Sequence, residues 1–103
     1  MTTKKQQSLK ETSEIFIGNK PFMNYVLATL MQLKDEKNTS TVIRARGKFI
    51  SRAVDVAEVA KKKLKETGKF NVKESIEINT EKFTNEEGRK INVSTIEISL
   101  NKK

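Results

Sequence analysis

The sequence contains no cysteine and no histidine, and this absence removes several classes of function. Without cysteine there is no disulfide framework, no thiolate nucleophile and no cysteine-based zinc site. Without histidine, the commonest general base and metal ligand is missing as well. The composition therefore indicates a protein that is not an enzyme and that holds no metal and no cofactor.

Long apolar runs are also missing. No stretch approaches the roughly 20 apolar residues that a membrane span requires, and the polar start of the chain lacks the apolar segment of a signal peptide. Gly-rich phosphate-loop signatures for a small-molecule substrate are absent. We therefore expect a cytoplasmic protein with no membrane partner and no small-molecule substrate.

What the chain does have is positive charge. Its 103 residues include 21 Lys and Arg against 13 Asp and Glu, a formal net charge of +8. Such a balance favours a polyanionic partner. The length suits one domain, and residues 1–13, which are polar and aperiodic, are predicted to be a disordered basic tail before a single domain at 14–103.

Apolar periodicity predicts six elements. Residues 14–17 and 41–46 are predicted strands, residues 22–33 and 47–66 are predicted amphipathic helices, and two strands joined by a turn within 81–90 end the chain. The predicted class is α+β (mixed α/β) with the order βαβαββ. Two helices would pack on a four-stranded mixed sheet, and the C-terminal hairpin would extend from it as an arm.

Two patterns leave alternatives open. In the last strand the apolar positions change phase near Ser94 and Thr95, which indicates either a β-bulge or a change of environment. In the second helix, Phe49, Val56 and Val59 widen the apolar surface beyond one stripe. That excess predicts either a subunit interface or close coverage by the protein's own sheet.

The strongest functional signal is a basic cluster with no acidic residue between its members. It consists of Arg44, Arg46, Lys48 and Arg52. Basic residues at a helix start oppose the helix dipole, and a bound phosphate would explain their presence there. The alternative is a solvated charged edge. Lys20 is a second candidate phosphate contact.

The hairpin tip carries two further basic residues, Arg89 and Lys90. An extended basic arm can enter a groove of a duplex. The same segment also contains Lys82 and three glutamates, Glu81, Glu86 and Glu87, so the tip is close to neutral. We therefore expect it to attract DNA less than a fully basic arm would.

The inventory for catalysis is poor. Asp35 and Asp55 are the only aspartates, and Asp55 stands three residues after Arg52, a spacing that predicts a salt bridge. A small hydrolase that uses these carboxylates is a minor alternative. The few aromatic residues mostly fall on apolar faces, so we predict no strand that stacks single-stranded bases.

Three separated motifs resemble the Alba family of archaeal chromatin proteins. They are Ile17-Gly18-Asn19-Lys20-Pro21-Phe22-Met23-Asn24-Tyr25-Val26, then Ala45-Arg46-Gly47-Lys48 with Ile50-Ser51-Arg52-Ala53-Val54-Asp55, and Gly88-Arg89 with Val93-Ser94-Thr95-Ile96-Glu97-Ile98. The resemblance covers about residues 14–103. It implies a homodimer on the archaeal chromosome that binds double-stranded DNA, and RNA, with its body on the backbone and its hairpin arms toward the minor groove.

The resemblance also implies roles for individual residues. Lys20 would contact phosphate, the basic cluster would line the central surface, and Arg89, with Lys90 beside it, would serve the arm. Asn19 stands where relatives often carry a lysine whose acetylation weakens DNA binding, so that control is not expected here. Leu64 would contact neighbouring dimers. A structural subunit of a ribonuclease P-type RNA–protein complex is the alternative function, because related families use the same fold there.

Overall fold

The chain alternates strands and helices before it ends in two long strands. The computed structural model describes residues 11–68 and 71–103. The elements are β1 (Glu11–Phe16), α1 (Phe22–Lys34), β2 (Asn38–Arg46), α2 (Ile50–Thr67), β3 (Val72–Thr84) and β4 (Lys90–Lys102), with one 3-10 turn at Gly47–Phe49 before α2. The predicted order βαβαββ is confirmed.

The four strands form one mixed sheet in the order β1-β2-β4-β3. The neighbours β1 and β2 are parallel, which requires a crossover connection, and α1 provides it. Strand β4 runs antiparallel to both β2 and β3. The predicted mixed sheet is therefore confirmed, with β1 and β3 at its two edges.

Both helices pack on one face of this sheet, which we call the helix face; the opposite one is the open face. The core residues recur at helical spacing in α1 and α2 and at alternate positions in β2 and β4. They include Val26, Leu30, Leu33, Ile43, Ala53, Val56, Ala60, Ile98 and Leu100. In the described ranges no helix is long and apolar enough to cross a membrane.

The wide apolar surface of α2 is covered by the protein's own core. Val56 is completely buried, and Phe49 and Val59 pack against the core cluster. For these three residues, the structure therefore supports coverage by the protein's own sheet and not a subunit interface as the reason for the wide apolar surface. The helix ends at Thr67, and the following Gly68 has a φ of 67°, in the left-handed region that glycine adopts without strain.

Strand β1 begins earlier than the sequence predicted. Residues 11–13 belong to the strand and not to the tail, while residues 1–10 lie outside the described part of the chain. The Ser13 and Thr41 hydroxyls are 2.9 Å apart, and those of Thr12 and Ser40 are 3.0 Å apart. Polar cross-strand pairs of this kind extend a sheet beyond its apolar part, and apolar periodicity does not detect them.

The phase change in β4 is a change of environment and not a bulge. The register between β3 and β4 runs unbroken from Val72 opposite Lys102 to Thr84 opposite Lys90. Ile96 lies on the helix face, where it is buried, whereas Ile91 and Val93 lie on the open face. Since the helices cover only the C-terminal part of β4, the apolar positions change faces where this cover ends.

Candidate nucleic-acid interface

The predicted binding residues come together at one end of the sheet. Parallel β1 and β2 both finish there, so the β1–α1 loop with Lys20 and the β2–α2 connection with Lys48 are neighbours. Antiparallel β4 meets this end where Thr95 pairs with Arg46. Beyond this point β4 pairs only with β3, so residues 80–84 of β3 and 90–94 of β4 project from the same end as a two-stranded arm.

The loop that carries Asn19 and Lys20 has a defined shape. The Tyr25 hydroxyl accepts hydrogen bonds from the backbone N–H groups of Gly18, at 2.9 Å, and Lys20, at 3.0 Å. Arg52 donates from Nη2 to the Lys20 carbonyl at 2.8 Å. Both side chains at the loop tip are exposed. The buried Tyr25 and the start of α2 thus hold the loop in place.

Arg52 differs from its predicted role. Its guanidinium lies 5.9 Å from the ring centre of Phe22 and 6.0 Å from that of Tyr25, and it bonds the Lys20 carbonyl. These contacts turn it toward the loop and not toward Asp55, so the predicted salt bridge between Arg52 and Asp55 is wrong. Arg52 is placed to position the Lys20 loop.

Replacing Tyr25 by phenylalanine should destabilise the protein. The change keeps the ring but removes the acceptor for two backbone N–H groups in a partly buried loop. An unsatisfied buried donor costs about 1–3 kcal/mol, so we expect the free energy of unfolding in urea to fall by that amount. An unfolding free energy equal to that of the wild type would show that the hydroxyl does not hold the loop.

Arg44 is held between two carboxylates on the open face. Its Nη2 donates to Glu14 Oε2 at 3.0 Å, and its Nη1 donates to Glu97 Oε2. Burial disfavours the guanidinium charge, but the hydrogen bonds and charges of Glu14 and Glu97 outweigh this effect and raise the pKa of Arg44 above its ordinary value. The three groups together carry a net charge of about −1. Arg44 is therefore not a free phosphate contact.

Arg46 ties the body to the base of the arm. Its Nη1 is 3.6 Å from Glu81 Oε1, and its guanidinium lies 4.7 Å from the centre of the Phe83 ring. The side chain is still more than half exposed. A phosphate could reach it, but only by competing with Glu81.

Lys48 is the most available member of the basic cluster. It is exposed, and its Nζ lies 5.4 Å from the Phe49 ring centre. Among the described residues no carboxylate forms a salt bridge with it. The preceding Gly47 has a φ of 60° and packs near Val93. This turn presents Lys48 at the end of the sheet.

The hairpin tip is a closed turn with exposed basic residues. The Asn85 side-chain oxygen accepts from the N–H groups of Glu87, at 3.0 Å, and Arg89, at 2.9 Å. Gly88 adopts a φ of 85° in the same turn. Arg89 and Lys90 are exposed at the tip, as the sequence indicated.

Leu64 is buried, whereas a residue that contacts a neighbouring dimer must lie on the surface. It is 2% exposed and belongs to the hydrophobic core. A residue with so little accessible surface has none to offer a neighbouring molecule. The contact that the resemblance implied for Leu64 therefore does not fit this chain.

The aspartates of the hydrolase alternative are not arranged as a catalytic site. Asp35 ends α1 and accepts from the N–H of Lys37 at 2.9 Å, whereas Asp55 is exposed on α2. Within residues 11–68 and 71–103 no three acidic side chains lie close enough together to hold a metal ion.

Sequence reasoning missed Glu14, Glu97 and Tyr25. The two glutamates lie 30 and 53 residues from Arg44 along the chain. Their alternation in the strands places them on the face of Arg44, but only the register brings them into contact. Tyr25 falls on the apolar stripe of α1, and its hydroxyl was the available signal, because a buried tyrosine usually bonds a polar partner.

The chain is similar to known proteins over about nine-tenths of its length. The chain is 47% identical over 92 residues to "DNA/RNA-binding protein Alba" of Methanocella arvoryzae, covering 89% of this chain and 92% of that protein. It is 50% identical over 91 residues to "DNA/RNA-binding protein Alba 1" of Archaeoglobus fulgidus, covering 88% and 97%.

The solved structure of Alba from Thermoplasma volcanium superposes with a TM-score of 0.73 at 43% identity, covering 86% of this chain and 99% of that one. The family model for Alba matches residues 13–85, more than half of the chain. With this match, this fold and these relatives, the chain belongs to the Alba family.

Proposed function

We propose that the protein is a homodimer that binds double-stranded DNA, and RNA, mainly through phosphate contacts and with low sequence specificity. The body would lie on the backbone and the hairpin arms would reach toward the minor groove. The observation that carries this proposal is the pair of exposed lysines, Lys20 and Lys48, at the end of the sheet from which the arm projects. The names of the relatives describe DNA/RNA-binding proteins. A protein that binds DNA in this way would act on the chromosome.

The exposed cations explain the low specificity. Each protomer presents Lys20 and Lys48 on the body and Arg89 and Lys90 on the arm. A lysine ammonium acts on phosphate as a point charge, and contacts to phosphate carry no sequence information directly. Arg44 and Arg46, which could read a base edge, are held by carboxylates. Such a surface distinguishes nucleic acids by backbone shape more than by sequence.

The dimer interface that we propose is an exposed apolar patch made by Val54, Ile76 and Ile78. Ile76 is 56% exposed and Ile78 is 74% exposed on the helix face of the edge strand β3. A salt bridge from Lys61 of α2 to Glu74 holds this edge against the helix, and Val54 lies two turns before Lys61 on the same side of α2. Exposed apolar side chains of this kind are typical of subunit contacts.

A salt titration tests the phosphate mechanism. Four cations per protomer give about eight phosphate contacts for a dimer, so log affinity for duplex DNA should fall against log[salt] with a slope near −7. Fluorescence anisotropy with matched duplex DNA and structured RNA in one buffer measures this slope. A slope near zero would contradict phosphate-dominated binding. Much tighter binding to the RNA would favour a structural role in an RNA–protein complex.

A further inference from the structure

The open face of the sheet carries an exposed aromatic ring beside the basic cluster. Phe16, at the end of β1, is 67% exposed, and its Cα is paired with that of Arg44 on β2. The sequence predicted that the aromatic residues mostly fall on apolar faces, where they would be buried. The burial expected for Phe16 is wrong, because alternation along β1 turns Ile15 toward the core and Phe16 toward solvent.

Phe16 forms one wall of a cleft of about 570 Å³. The cleft is also lined by two basic and two acidic residues, Arg46, Lys48, Glu81 and Glu97. The cleft is at the end of the sheet where the Lys20 loop and the arm meet, so it adjoins the surface that we assign to phosphate binding.

We propose that this cleft binds one unpaired nucleobase, stacked on Phe16, with its phosphate on Lys48. The inference rests on the proposed function and deepens it, because it adds a subsite for single-stranded or bulged nucleic acid to a surface that holds duplex backbone. Bases of every kind stack on an aromatic side chain, and RNA loops and bulges present them unpaired.

The charges of the cleft fit a nucleotide better than an apolar peptide. A nucleotide joins an aromatic base to an anionic phosphate, and the cleft has an exposed ring and the unpaired Lys48. Glu81 and Glu97 repel phosphate but accept hydrogen bonds from the amino groups of bases. These carboxylates orient the base into the cleft and leave the phosphate at the lysine.

The test compares single-stranded and duplex binding in a Phe16→Ala variant. The probe is a short oligonucleotide with one 2-aminopurine, free or annealed, in one buffer of low salt. Loss of one stacking contact should weaken single-strand affinity about tenfold, and duplex affinity should stay within about twofold. The matched control is Met31→Ala, which truncates an apolar side chain on α1 that is 70% exposed, and it should change neither affinity.

Several outcomes would overturn the inference. Single-strand binding that is equal in Phe16→Ala and the wild type would remove the stacking role, and an equal loss for both nucleic acids would show a general effect. Sedimentation of both proteins is the second measurement: if Phe16→Ala is monomeric where the wild type is a dimer, the ring belongs to the subunit interface. Failure of the wild type to bind either probe would instead contradict the proposed function itself.

Discussion

A chain with Ile78 replaced by aspartate is expected to be monomeric and to bind duplex DNA about a hundredfold more weakly or worse. Ile78 is the most exposed of the large apolar side chains on the described surface, at 74%. In the proposed dimer this face of β3 is buried, and an unpaired carboxylate there is costly. Joining two binding bodies raises overall affinity by roughly 10²–10⁴, and this gain is lost with the dimer.

The control for this variant is its neighbour. Asn79→Asp adds the same charge one residue away, on the open face of the same strand. Sedimentation equilibrium gives the mass, and anisotropy gives the affinity for a duplex. Only Ile78→Asp should halve the mass. If both variants remain dimers and lose equal affinity, the added charge explains the loss and the interface lies elsewhere.

Exchange of Lys20 and Lys48 for glutamine should have the second large effect. The double variant removes four of about eight phosphate contacts in a dimer, so the salt slope should rise from near −7 to near −4. Each lost contact removes a factor of roughly eight through counterion release at 0.1 M salt, or roughly 4,000-fold for four. Anisotropy titrations between low and moderate salt measure both quantities.

A matched variant separates the site from total charge. Lys62 and Lys63 are exposed in the C-terminal half of α2, at the other end of the helix from Lys48, and their exchange for glutamine removes the same charge. This variant should keep the wild-type slope and most of the affinity. Equal effects from the two double variants would contradict a localised site and indicate that net charge alone drives binding.

Much of the fold was predictable because it depends on local periodicity. The strands show alternation, and α1 shows the helical spacing of Val26, Leu30 and Leu33. Both patterns involve residues close in sequence, so they can be recognised without knowledge of tertiary contacts. The clustering of Lys20 with Lys48 was also foreseeable, because parallel strands end at one edge. These features account for the correct element order.

The errors concern contacts between residues that are distant in sequence. The acid-free stretch from Arg44 to Arg52 looked unpaired, yet Glu14, Glu81 and Glu97 reach it from three other strands. The exposure of Leu64 and of Phe16 was predicted wrongly for a related reason. The exposure of a side chain depends on which part of the sheet the helices cover. A window of a few residues contains neither the salt-bridge partner of a charged side chain nor the helix that covers a strand.

The unbroken ladder of β3 and β4 also affects the thermodynamics of association. Its register is continuous to Lys90, and Asn85 closes the turn with its own side chain, so the arm is ordered before any partner arrives. A segment that folds on binding loses conformational entropy at that moment. This arm has already lost it during folding, so in the complex that we propose it would meet a groove as a rigid body, and the heat-capacity change of binding would reflect desolvation rather than coupled folding.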